Sequence, residues 1–191
     1  MKTFVIERNE NGLPPESWYF LPDSAITNPG KPFFIPEMTD TIEAQALLAL
    51  KINRLGKTIA PRFAHRYFSE VALGIHFTAP LLKKELLDKG LSPDRSRGFD
   101  RSLFLTEFIP YEEFSKHSEI SFLKNGELTA TLSPDLSDDA TGDCFAAISA
   151  ENTLKMGDIL IPHLSRGIRI NIGDTLEIRK DTTPLLRIEI K

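Results

Sequence analysis

The sequence predicts a β-rich α+β domain, on three observations. Beyond residue 100, short β-prone runs follow one another: "SLFLTEFIP", "ISFLKNGELTATL", "DILIPHL", "GIRINIG", "DTLEIRK" and "PLLRIEIK", separated by Gly, Asp, Asn or Pro. In "LGIHFTAP", Leu73, Ile75 and Phe77 alternate with Gly74, His76 and Thr78, the period of a strand with two different faces. The clearest helix is "APLLKKELLDKG": Pro80 suits its first turn, Leu81, Leu82, Leu86 and Leu87 form an apolar stripe, and Gly90 stops it. Many short strands with few helices describe an α+β domain.

The other elements follow in chain order. "KTFVIER" is a short strand, and "NENGLPPES" is a polar loop of turn formers. "WYFLPDSAITNPGKPFFIPE" is broken by four prolines and reads as irregular or edge-like, because Pro donates nothing to a ladder. Residues 1–30 are thus expected to be an irregular N-terminal segment of a single domain spanning 1–191. "TIEAQALLALKINRLGKTI" fits a helix by its Ala and Leu, and its first half fits a strand buried on both faces. As a strand it points Glu43, Gln45 and Leu47 one way and Ile42, Ala44 and Ala46 the other. "RLGKT" then reads as a turn. In "APRFAHRYFSEVALG", Phe63, Arg66, Tyr67 and Glu70 have the spacing of a short helix. "LKNGEL" predicts a type I′ hairpin, and "ATGDCFAAISAENTL" a helix or part of one.

Composition bounds the function. The chain has 191 residues, 41% hydrophobic and 26% charged, which suits a globular domain. A net charge of −4 and a pI of about 5.6 argue against a general nucleic-acid surface. The lone Cys144, among small and apolar neighbours, reads as a core thiol and excludes an internal disulfide or a Cys-rich zinc site. Neither a signal peptide nor a run approaching the ~20 apolar residues of a membrane span is visible, so the expectation is a soluble cytoplasmic protein with no membrane partner.

From Phe20 onward the motifs fall in a familiar order: "GKPFFIPE", "IEAQALLALKINRLGKTIAPRFAHRYFSEVALGIHFTA", "RGFDRS", "NGE", "LKMGD" and "IGDTLE". The chain resembles the fumarylacetoacetate hydrolase family, including its 2-oxo-acid hydrolases, isomerases and decarboxylases. The resemblance implies a mixed β-sandwich or β-roll and a homodimer. It also implies chemistry on Mg²⁺ or Mn²⁺, held by two glutamates two apart on one strand and an aspartate on a later one. Such an ion grips a 2-oxo acid and stabilises its enolate, because hard cations prefer anionic oxygens.

Carried over, those three ligand positions fall on Glu43, Gln45 and His76. Formal ligand charge drops from −3 in the family pattern to −1, with His neutral. Mg²⁺ then loses most of its affinity, whereas imidazole suits Zn²⁺ or another transition metal. Other family features are missing as well. The early acid–base pair is not visible in "FVIERNENGLPPES", the Thr-Gly-Thr-Pro loop is replaced by "IPHLSRG", and the Arg-Asp after Thr-Ala is Pro80-Leu81. The positive charge before Gly-Phe-Asp survives as Arg97.

The reading is therefore a family member with an eroded metal site and no resident metal, catalytically weak or inactive. It binds a small carboxylate or partners an active relative. The alternative is an active 2-oxo-acid C–C hydrolase, isomerase or decarboxylase on a changed metal. The substrate-side candidates are Arg97, Asp100 and His163, with Arg95 and Arg101 near Arg97; a solvated basic turn is the plain alternative. His76 is expected to be a buried neutral histidine bonded to Glu43. Gln45 is a hydrogen-bonding filler, and His65 and His117 are surface residues.

Overall fold

In this computed structural model, residues 1–7, 17–114, 119–132, 136 and 139–191 are described. The first strands are β1 (Thr3–Glu7), β2 (Ser17–Leu21) and the two-residue β3 (Ile26–Thr27). The segment expected to be irregular thus holds three strands. Edge position resolves the difference: β2 pairs only β1, so the prolines that follow it break no interior ladder.

The ambiguous Ala/Leu-rich run is strand β4 (Ile42–Ile52), and the opening alternation is β5 (Phe68–Thr78). They pair antiparallel along nearly their whole length and form the spine of the molecule. Strand pairing overrides the helical propensity of Ala and Leu here, because both faces of β4 find apolar partners. The helix expected through Tyr67 and Glu70 is a single 3₁₀ segment, Pro61–Arg66; Glu70 already lies in β5, opposite Lys51.

Helix α1 (Pro80–Asp88) follows β5 directly, and Gly90, at φ 68°, closes it. Of its predicted stripe only Leu86 is buried; Leu81 and Leu87 are exposed. Short strands β6 (Leu103–Leu105) and β7 (Ile109–Pro110) pair with β5. The hairpin β8 (Ile120–Lys124) and β9 (Glu127–Leu132) turns on Asn125 and Gly126, both at positive φ as type I′ requires. Helix α2 (Asp139–Glu151) buries Cys144 completely. Strands β10 (Ile159–Leu164), β11 (Ile168–Ile170), β12 (Thr175–Lys180) and β13 (Thr183–Glu189) complete the chain.

Two sheets result among the described residues. The larger runs β2-β1-β10-β4-β5-β6-β3, with β11 beside β4 and β7 beside β5; the smaller runs β13-β12-β8-β9. The main core fills the space between them and under α2, with Phe77 stacked on Phe33 at 3.8 Å. A second cluster, including Val5, Tyr19, Leu47, Ala72 and Leu103, covers part of the other face of the large sheet. No helix among the described residues is long and apolar enough to cross a membrane.

Candidate functional site

On that second face the apolar cover stops short, and the uncovered end of the β4–β5 pair floors a cleft of about 480 Å³. Register explains its contents. Glu43 pairs with Thr78, Gln45 with His76 and Leu47 with Gly74, so all share a face that grades from apolar to polar along the strands. β1 has the same parity: Val5 joins the second apolar cluster and Glu7, two residues on, reaches the cleft. Tyr19, Lys83, Ser96, Arg97, Ser165 and Arg166 come from four further segments.

His76 is fully buried beneath this cleft. Its Nε2 donates to the Arg97 carbonyl at 2.9 Å, and its Nδ1 accepts from the Tyr19 hydroxyl at 3.4 Å. The expected bond to Glu43 is not made: the partner directly across is Gln45, and the 3₁₀ turn Pro93–Ser96 places the Arg97 carbonyl over the ring instead. Burial drives the imidazole pKa from its ordinary 6.5 down to about 4, and the nearby Arg97 guanidinium adds to the fall against the pull of the carbonyl bond. His76 is a neutral donor at neutral pH. Burial also pushes the Tyr19 phenol above its ordinary range.

Arg97 crosses from this buried layer to the cleft. Only 9% exposed, its guanidinium lies over the Tyr19 ring at 3.8 Å. Nη2 donates to Asp94 at 3.3 Å, and Nη1 lies 3.0 Å from Glu7 Oε1. That last contact is an ion pair too bent for a hydrogen bond, so Nε and Nη1 are buried without an acceptor. Lys83 Nζ donates to the same Glu7 oxygen at 2.8 Å. Burial works to raise the Glu7 pKa, but Lys83 and Arg97 outweigh it and hold the carboxyl below its ordinary range.

Gln45 Nε2 donates to the Ser165 carbonyl at 3.0 Å, and the Ser165 hydroxyl accepts from the Ala46 amide at 2.9 Å, which agrees with its reading as a filler. Glu43 packs against Gly167, where an added Cβ would stand 2.3 Å from Glu43 Oε2. The Glu43 carboxylate makes no hydrogen bond or ion pair with any described residue.

The candidates therefore separate. Glu43, Gln45 and Arg97 line the cleft, and His76 underlies it. Asp100 sits on an exposed turn outside the lining, as do Arg95 and Arg101. His163 is turned away: a bulge between Leu160 and His163 shifts the parity of β10, and His163 pairs with Leu48 on the main-core face. His65 is exposed, and His117 lies outside the described residues.

The sequence reading missed Glu7, Tyr19, Lys83 and Arg166. Glu7 had a signal, since it continues the Thr3–Val5 face of its strand. Lys83 had none, because a helix lysine reads as solvated.

These residues do not fit a divalent ion. Both His76 nitrogens are engaged, Gln45 is turned to a backbone carbonyl, and the cleft carries Lys83 and Arg97. No group of three or more His, Cys, Asp or Glu side chains among the described residues is arranged to hold a metal.

Sequence comparison aligns the chain with the mitochondrial oxaloacetate tautomerase FAHD1 of Mus musculus, 24% identical over 91% of this chain and 80% of that protein. The Bos taurus protein of the same name is 25% identical over 85% and 75%. Among solved structures, fumarylpyruvate hydrolase from Pseudomonas aeruginosa, in complex with Mn²⁺ and pyruvate, superposes with a TM-score of 0.86 at 17% identity, covering 100% of this chain and 89% of that one. A fumarylacetoacetate hydrolase family structure from Yersinia pestis CO92 does so at 0.85 and 21%, covering 100% and 92%. The chain is thus similar in sequence to these tautomerases and shares the fold of solved fumarylacetoacetate hydrolase family members. No family model matches it. The fold is the expected α+β architecture of that family, a curled large sheet with a second sheet against it.

Proposed function

We propose that this family member has given over its divalent-ion position to side chains, so that metal-dependent catalysis of the family kind is weak or absent. In this reading it holds no resident metal and binds small carboxylates in the cleft, alone or as partner of an active relative. The observation that carries it is His76: an imidazole with one nitrogen donating to a backbone carbonyl and the other accepting from Tyr19 has no lone pair left for an ion. The pyruvate in the Pseudomonas hydrolase structure supports the ligand class. The proposal also takes the protein as a cytoplasmic homodimer without nucleic-acid or membrane partners. The family pattern supports the dimer, and the single buried cysteine supports a reducing compartment. Light scattering and cell fractionation test these two points.

A second reading keeps an active 2-oxo-acid C–C hydrolase, isomerase or decarboxylase on Zn²⁺ or another transition metal. It is favoured by the Glu43 carboxylate, which is free of protein partners in the described structure. Elemental analysis with thermal-shift titrations of Mg²⁺, Mn²⁺ and Zn²⁺ separates the two. The first reading expects no stoichiometric metal and no saturable rise in melting temperature. A rise of the size given by an ion at ~100 times its Kd, roughly 2.7 kcal/mol, establishes the second.

A further inference from the structure

We propose that the cleft takes a small carboxylate carrying an adjacent hydroxyl group, and takes it without a metal: Glu43 accepts from the hydroxyl, while Lys83 and Arg166 hold the carboxylate. This deepens the reading above and rests on it.

The argument starts from which polar groups remain unused. The Glu43 carboxylate faces the cleft with no partner among the described residues. Half-buried, it offers only acceptor lone pairs, so it repels a bare anion and selects a donor. Lys83 Nζ has three N–H groups, and among the described residues Glu7 Oε1 is the one acceptor that holds it. Its side chain is 42% exposed, so its remaining donors are open to a ligand. Arg166 is exposed; its carbonyl accepts from the Ser165 hydroxyl at 3.2 Å, but its guanidinium makes no hydrogen bond or ion pair among the described residues.

Arg97 is not available. Its Nε and Nη1 are buried, with Nη1 held in the ion pair with Glu7, and its guanidinium lies over Tyr19. It positions Glu7, and Glu7 positions Lys83.

Topology sets the two open cations on opposite sides of Glu43. Lys83 lies on α1, which continues from β5 on one side of β4; Arg166 lies between β10 and β11, which both pair β4 on its other side, with Arg169 of β11 opposite Glu43. A ligand over Glu43 therefore meets a cation on each flank. A simple carboxylate gains from the flanks and loses to Glu43. A hydroxy acid turns that loss into a charge-assisted hydrogen bond. A cleft of about 480 Å³ has room for a molecule of a few carbons.

The test is calorimetry on the full chain after chelation, with L-malate, D-malate and succinate at matched ionic strength. One malate enantiomer is expected to bind saturably, with succinate roughly ten- to a hundredfold weaker, the value of one hydrogen bond to a charged group. Glu43→Gln should remove the preference, Lys83→Met should weaken both ligands, and Lys83→Arg should retain them. Succinate binding as well as malate overturns the inference, as does an absence of malate binding to a chain that also takes up no metal. In that last case the metal-free reading survives. Malate binding only when Mn²⁺ is added overturns both.

Discussion

The two faces of the β4–β5 pair, made from the same two strands, follow opposite rules. On the core face Ala44, Ala46, Leu48, Leu73, Ile75 and Phe77 are buried in one continuous apolar cluster. On the other face Leu47, Ala49 and Ala72 give way within a few residues to Gln45, Glu43, His76 and Thr78. The first face is held by area and shape, and its partners are interchangeable hydrocarbons. The second is held by directed bonds to single atoms, such as the Arg97 carbonyl and the Tyr19 hydroxyl. Losses on the first should therefore scale with volume, and losses on the second with pH and chemistry.

The largest effect should come from the core face. Phe77 is fully buried, stacked on Phe33 and edge-on to Phe104. Phe77→Ala should cost about 3–5 kcal/mol in urea unfolding, with no new pH dependence.

Next is the pH response of the polar face. Below pH 6.5 the unfolded chain protonates His76, while the folded chain resists until about pH 4. Stability should fall as pH drops through that window and level off beneath it, with about 3 kcal/mol lost from this residue. His76→Gln should flatten that part of the profile. An unchanged slope would remove the buried neutral histidine.

Rebuilding the family's ligand set comes third. Gln45→Glu with His76→Asp places carboxylates beside Glu43, and without metal should cost roughly 1–3 kcal/mol. Millimolar Mn²⁺ should restore the loss in thermal melts. A double variant indifferent to Mn²⁺ would show that these positions no longer converge.

The smallest change in stability belongs to Gly167→Ala. The new methyl meets the end of the flexible Glu43 side chain, which swings aside, so the cost should stay below about 1 kcal/mol. Malate affinity should fall nonetheless, separating the ligand role of Glu43 from any part in the fold.

Much of this architecture was legible in the residues. The order of motifs carries the family resemblance, the Asn125-Gly126 pair gives its hairpin, and the alternation in "LGIHFTAP" places His76 opposite the core. Period-two alternation fixes facing within a strand because the pleat repeats every two residues. Propensity failed where long-range pairing outweighed it, in β4 and after Arg66.

What tertiary structure alone decided is who meets whom across the cleft. Lys83 reaches Glu7 over 76 residues of chain, and Tyr19 reaches His76 over 57. The bulge in β10 turned His163 from the cleft to the core. No local pattern encodes such meetings, because they follow from sheet order, register and one inserted residue, which exist only once the strands have paired.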